Sequence, residues 1–189
     1  MAGGVLLRGH HGGAGEFGHL PVSDDGPECE CGNRGCLEAM VADPALVAQA
    51  VAAGIVPEGV TVAEGVDRLL GAAGGGDPRA VAIFEQAGTH LGRAVGGLVN
   101  VFDPALVIVG GEGTAAWAHL GQSFSAAVAA HTFPPLGGVE IVVDPWDDRR
   151  WAAGAAARVL GASVATPLYD TSPEDGVRER LVTTAAVPA

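Results

Sequence analysis

Apolar positions recur along this chain at steps that switch between helix and strand spacing. Val81, Phe84, Gly88, Leu91, Val95, Leu98 and Phe102 alternate by three and four, the mark of a helix with one buried face. Asp77-Pro78 ahead of them offers an N-cap and a proline at the first helical position. Gly92, Gly96 and Gly97 would weaken an isolated helix, so they predict another backbone packed close by. Leu106 to Gly111 is a continuous apolar run of strand length ending in two glycines, as in a buried parallel strand that feeds a tight turn into a helix. Thr114 to about His131 then predicts a helix, Val139 to Val143 a strand, and Arg150 to Leu160 a small-residue helix.

Upstream the pattern is shorter-ranged. Val5 to Arg8 predicts the end of a strand, and Glu16 to Val22 an extended segment after the glycine-rich turn at 11–15. Cys36 to about Ala53 predicts helix with an interruption at Asp43-Pro44, and Val62 to Ala72 a second helix closed by Gly74-Gly75-Gly76. Strand and helix alternate, so the fold class is α/β. Beyond Leu160 the prolines Pro167, Pro173 and Pro188 and the acidic residues predict a mostly disordered tail over 162–189, with a short helix over Val177 to Val182 as its one ordered piece.

Composition narrows the classes. The 189 residues are 48% hydrophobic, enough for a core, and the net charge is −12. All ten cations are arginines, scattered singly except for Arg149 and Arg150, so no basic face exists for nucleic acid to bind through this chain alone. No apolar run approaches the ~20 residues of a membrane span, and a cytoplasmic location is expected.

The three cysteines all fall within Cys29 to Cys36. With His19 they form H-x9-C-x-C-x4-C, one imidazole and three thiols, a donor set suited to a closed structural zinc site. An odd count clustered in so short a segment fits a metal better than disulfides. Glu16 lies three residues before His19 and Glu38 two after Cys36, so one metal would pin both carboxylates in one neighbourhood. Converging carboxylates accept hydrogen bonds from adjacent sugar hydroxyls; taken singly, Glu16 also suits a solvated loop and Glu38 a helix first turn.

GEFGHL followed by CECGNRGCLE resembles the ROK family of sugar kinases and sugar-responsive repressors, built on the actin-like, ribonuclease H-type fold. The resemblance spans about Gly3 to Leu160 and implies a zinc-bearing second lobe over 1–161. It implies Zn2+ on His19, Cys29, Cys31 and Cys36, and a sugar or sugar phosphate contacted by Glu16, His19 and Glu38. His19 would serve both, one ring nitrogen on the metal and the other on a hydroxyl. Gly110 and Gly111 match the glycine segment that lines the ATP site in family kinases, but Glu112 stands where a third glycine is usual and directs negative charge at the phosphates, so ATP is not expected. The Asp-x-Gly phosphate loop and catalytic aspartate of those kinases find no match in this chain, so no catalytic residue is assigned. Its PWDDRRWAAGAAARVL segment looks like the terminal helix of actinobacterial ROK regulators. The expectation is therefore a regulator's effector lobe, N-terminally truncated and self-associating as a homo-oligomer. A sugar kinase lobe and a zinc-stabilised remnant without ligand are the competing readings.

Overall fold

The computed structural model describes residues 7–136, 138–145, 152–157 and 159, and it divides into two units, Met1–Trp146 and Asp147–Ala189. In the first unit the order is α1 (Leu37–Val41), α2 (Asp43–Ala52), α3 (Val62–Gly74), α4 (Pro78–Phe102), β1 (Leu106–Gly110), α5 (Trp117–His131) and β2 (Glu140–Asp144). Short 3-10 turns lie at Phe17–His19, Glu112–Ala116 and Pro134–Leu136. In the second unit residues 152–157 are helical, within the helix expected over Arg150 to Leu160; the rest of that helix except Val159, and the whole tail, lie outside the described residues.

Local chemistry sets the helix boundaries. Thr61 and Glu64 close a capping box on α3, Thr61 Oγ1 accepting from the Glu64 amide at 3.3 Å and Glu64 Oε2 from the Thr61 amide at 3.1 Å. Asp77 caps α4 by accepting from the Arg79 amide at 2.9 Å, and the Arg79 guanidinium reaches the Ala53 carbonyl at 2.9 Å, tying the start of α4 to the end of α2. Pro44 falls in the first turn of α2, and the chain breaks at Ala42 as the Asp43-Pro44 pair predicted.

α4 is the axis of the core. Its buried Phe84 and Val99 belong to one apolar cluster with Leu69 of α3 and Phe124 of α5, and each buried side chain of this size contributes about 1.5–3 kcal/mol. The expected close approach at the α4 glycines is real at Gly92 and Gly96: a Cβ on Gly92 would run into the Phe124 carbonyl oxygen, and one on Gly96 would sit 3.0 Å from the His131 Cβ. Gly97 faces open space instead.

β1 and β2 pair in parallel, Leu106 opposite Glu140 and Ile108 opposite Val142, with α5 as their crossover. The expectation of a buried strand fails. Val107 and Val109 turn to the core, whereas Leu106 and Ile108 are exposed, because no second layer among the described residues covers that face. Glu16 to Val22 is likewise not extended throughout: Phe17–His19 winds into a 3-10 turn. Leu7 and Arg8 lie in no strand, and Val5 and Leu6 are outside the described residues.

Candidate functional site

The cysteine segment folds back on itself as a knuckle. The Cys29 amide donates to the Asn33 carbonyl at 2.8 Å, Gly32 to Cys29 at 2.9 Å and Gly35 to Pro27 at 2.8 Å, with antiparallel bridges at Glu28–Arg34 and Pro21–Cys36. Arg34 fastens the rim, donating to Gly26 O at 3.1 Å and Glu28 Oε1 at 3.0 Å. Gly35 has φ +64°, and a Cβ there would collide with the Ser23 carbonyl oxygen, so the turn requires glycine.

This folding brings the four sequence-predicted ligands together. The donor atoms of His19, Cys29, Cys31 and Cys36 all lie within 4.8 Å of one another. Cys29 Sγ stands 3.5 Å from His19 Nδ1, and Cys31 Sγ 3.6 Å from Cys36 Sγ. A tetrahedral ion with Zn–S of ~2.3 Å and Zn–N of ~2.0 Å places sulfurs ~3.8 Å apart and sulfur and nitrogen ~3.5 Å apart. The spacing therefore fits a single zinc-sized ion, and the three cysteines are free of disulfides. Cys36 is fully buried and Cys31 exposed. Burial, reinforced by the neighbouring Cys31 and Cys29 thiols, pushes the Cys36 thiol up to about 12, while the Asn33 backbone amide lowers that of Cys31. A dication held by these donors would supply the charge that stabilises all three as thiolates.

The same knuckle carries the carboxylates. Cys36 is the residue before α1, so Glu38 enters the first turn of a helix whose start is held by the Leu37 amide on the Leu20 carbonyl at 2.9 Å. Glu38 Oε2 is 3.6 Å from His19 Nδ1, and Glu16 Oε2 is 3.8 Å from His19 Nε2. Nδ1 is thus the nitrogen on the thiol side, and metal at Nδ1 leaves an N–H at Nε2 beside Glu16. Both carboxylates stay open to solvent, with side chains 71% and 55% exposed for Glu16 and Glu38. All three residues expected to meet a sugar therefore share one accessible patch.

Gly110 and Gly111 lie elsewhere, at the end of β1. Gly110 borders a cavity of about 590 Å³ together with Glu112 and Trp117. Gly111, at φ +108°, makes the turn into the Glu112–Ala116 segment. The sequence reading missed that Asp43, Asp67 and Trp117 share this cavity: they come from three separated helices, and no spacing rule connects them.

Residues 1–161 match the model of the ROK family. The chain belongs to the ROK family. It is 29% identical over 167 residues to the DNA-binding transcriptional dual regulator NagC of Escherichia coli K12, a match covering 86% of this chain and 41% of NagC. The structure resembles that of a ROK family transcriptional regulator homologous to the E. coli MLC protein, at 30% identity and a TM-score of 0.67, covering 81% of this chain and 40% of that one. It also resembles a ROK glucokinase from Streptomyces griseus in complex with glucose and AMPPNP, at 31% identity and a TM-score of 0.58, covering 74% and 49%. This ROK chain thus spans less than half the length of these relatives. Its fold is a mixed α/β lobe of the actin-like ATPase type, and its His and Cys cluster is consistent with the ROK zinc motif. No helix among the described residues is long and apolar enough to cross a membrane.

Proposed function

We propose that residues 1–161 form the sugar-binding lobe of a ROK transcriptional regulator of the actinobacterial type. A structural Zn2+ on His19, Cys29, Cys31 and Cys36 would hold Glu16, His19 and Glu38 against the ring hydroxyls. The observation that carries this reading is His19 standing between two carboxylates, Nε2 towards Glu16 and Nδ1 towards Glu38 and the Cys29 thiol. Two carboxylates accept from neighbouring hydroxyls while the metal-oriented imidazole donates, an alternation suited to a diol. Zinc would be the clamp that fixes this geometry, with no part in bond breaking.

The regulator reading is favoured over a kinase by the cavity beside Gly110, which Glu112 borders and no basic side chain lines; phosphoryl transfer depends on neutralising the phosphates. The glucokinase likeness keeps the kinase lobe as the second reading. Calorimetric titration of the zinc-loaded chain with glucose, N-acetylglucosamine and N-acetylglucosamine 6-phosphate, alongside Glu38→Gln, tests sugar binding. A coupled ATPase assay with each sugar tests the kinase. Saturable sugar binding weakened by Glu38→Gln, without phosphate transfer, is the expected result. Binding that Glu16→Gln and Glu38→Gln leave unchanged would remove the proposed site, and sugar-dependent ATP turnover would favour the kinase.

A further inference from the structure

The cavity beside Gly110 has a chemistry of its own. At about 590 Å³ it falls within the range of small-molecule pockets. Its floor is apolar, built on buried Phe84 and Leu46 with Trp117 at one side. The Trp117 ring is held in place: it meets Phe124 edge-on at 5.2 Å, and α5 has a glycine, Gly121, where a Cβ would stand 2.7 Å from the ring. Three carboxylates line the same space, Asp43 half-buried and Asp67 and Glu112 exposed, while no arginine, lysine or histidine does. Nor does any arginine form an ion pair with these three among the described residues. Glu16, His19 and Glu38 are not part of the lining, so this is a separate site from the knuckle.

An anion entering such a space meets uncompensated negative charge, and a strongly polar neutral ligand leaves its groups facing Phe84 and Leu46 without partners. A ligand with an apolar ring and one positive charge matches both halves. Its ring covers the floor and stacks against Trp117, and its cation sits among the carboxylates and near an indole face. We propose that this cavity binds a small amphiphilic amine, an aromatic ring bearing one ammonium group, with the ring against Trp117 and the ammonium among Asp43, Asp67 and Glu112.

Nuclear magnetic resonance titration of the full zinc-loaded chain decides the matter, with tryptamine, indole-3-acetate and Mg-ATP as probes and the Trp117 indole and Gly113 amide signals as reporters. Tryptamine is expected to saturate those signals at least about tenfold more tightly than indole-3-acetate, which has the same ring and the opposite charge. The Asp67→Asn, Glu112→Gln double variant should lose about tenfold in tryptamine affinity and keep its zinc. Should the double variant fold poorly, a salt titration of the unaltered chain carries the same information, since tryptamine binding must weaken as salt rises. Equal affinity for the two indoles, no saturation by tryptamine, insensitivity to salt, or tighter binding of Mg-ATP would each overturn the proposal, the last by making the cavity a nucleotide site.

Discussion

Glu38 Oε2 sits 3.6 Å from His19 Nδ1, and Gly18 makes that approach possible: a Cβ on Gly18 would stand 3.3 Å from both Cβ and Oε2 of Glu38. A larger side chain at position 18 has to displace the carboxylate. Gly18→Val is therefore expected to weaken sugar binding by roughly tenfold, the effect of losing one charge-assisted hydrogen bond, while zinc content stays at the wild-type level. Calorimetry and metal analysis on the same sample check it. Unchanged sugar affinity would mean that Glu38 is not positioned by this contact.

The metal itself is the second test. Gently purified protein is expected to hold about one zinc per chain, because the four donors all lie within 4.8 Å of one another, with Cys29 Sγ 3.5 Å from His19 Nδ1 and Cys31 Sγ 3.6 Å from Cys36 Sγ. Cys31→Ser should release it, and chelation should lower the melting temperature, since metal-binding energy is folding energy for a loop without a core of its own. Protein with three freely titrating thiols and no metal would count against the site.

Helix packing gives a prediction of sign. In an open helix, alanine for glycine stabilises by about 0.5–1 kcal/mol, and Gly97→Ala should do so because nothing lies within 4 Å of its Cβ. Gly92→Ala should instead destabilise by about 1–3 kcal/mol, because its methyl would enter the Phe124 carbonyl and stand 2.8 Å from the Ala127 Cβ. Denaturant unfolding of the two variants should move in opposite directions; shifts of the same sign would refute the α4–α5 packing.

Acid should loosen the caps of α3 and α4. The hydrogen bond from the Arg79 side chain, then that from its amide, lowers the Asp77 carboxyl, and Thr61, first through its amide and then its hydroxyl, lowers that of Glu64. Both folded values lie below the unfolded ones, so their stabilisation is present above about pH 4.5 and is lost as pH falls through the folded values. Asp77→Ser retains a capping oxygen without a titrating group. Its melting temperature should fall less than that of the wild type between pH 6 and pH 3, measured on zinc-free samples of both; an equal fall would deny Asp77 this role.

The exposed side of the sheet bears on association. Leu106, Ile108 and Val142 share one face and are 43%, 63% and 40% exposed, an apolar patch that favours contact with other chains. Concentration-dependent self-association in light scattering is expected, with Ile108→Lys shifting the protein towards monomer. A monodisperse monomer at every concentration would remove the patch as a contact surface.

The sequence by itself determined what depends on neighbours along the chain. Asp77-Pro78 fixed the start of α4 and Asp43-Pro44 the break before α2, because capping acts within one turn. Of the three-four rhythm from Val81, Phe84, Gly88 and Val95 are buried, Val81, Leu91 and Leu98 half-buried, and Phe102, counted on the same face, is 55% exposed. The sequence also picked out His19, Cys29, Cys31 and Cys36 as a candidate donor set, since chemical type alone restricts metal ligands, and the fold brings these four together. Tertiary structure decided the rest. An apolar run such as Leu106 to Gly110 reads as buried whichever side is covered, and only the position of α4 and α5 leaves Ile108 in solvent while Val107 turns inward. The 3-10 turn at Phe17–His19 closes the distance from His19 to Glu38, which sequence separation could not measure. Asp43, Asp67 and Trp117 meet around one cavity because three helices converge there, and contacts between distant segments leave no periodic trace in any one of them.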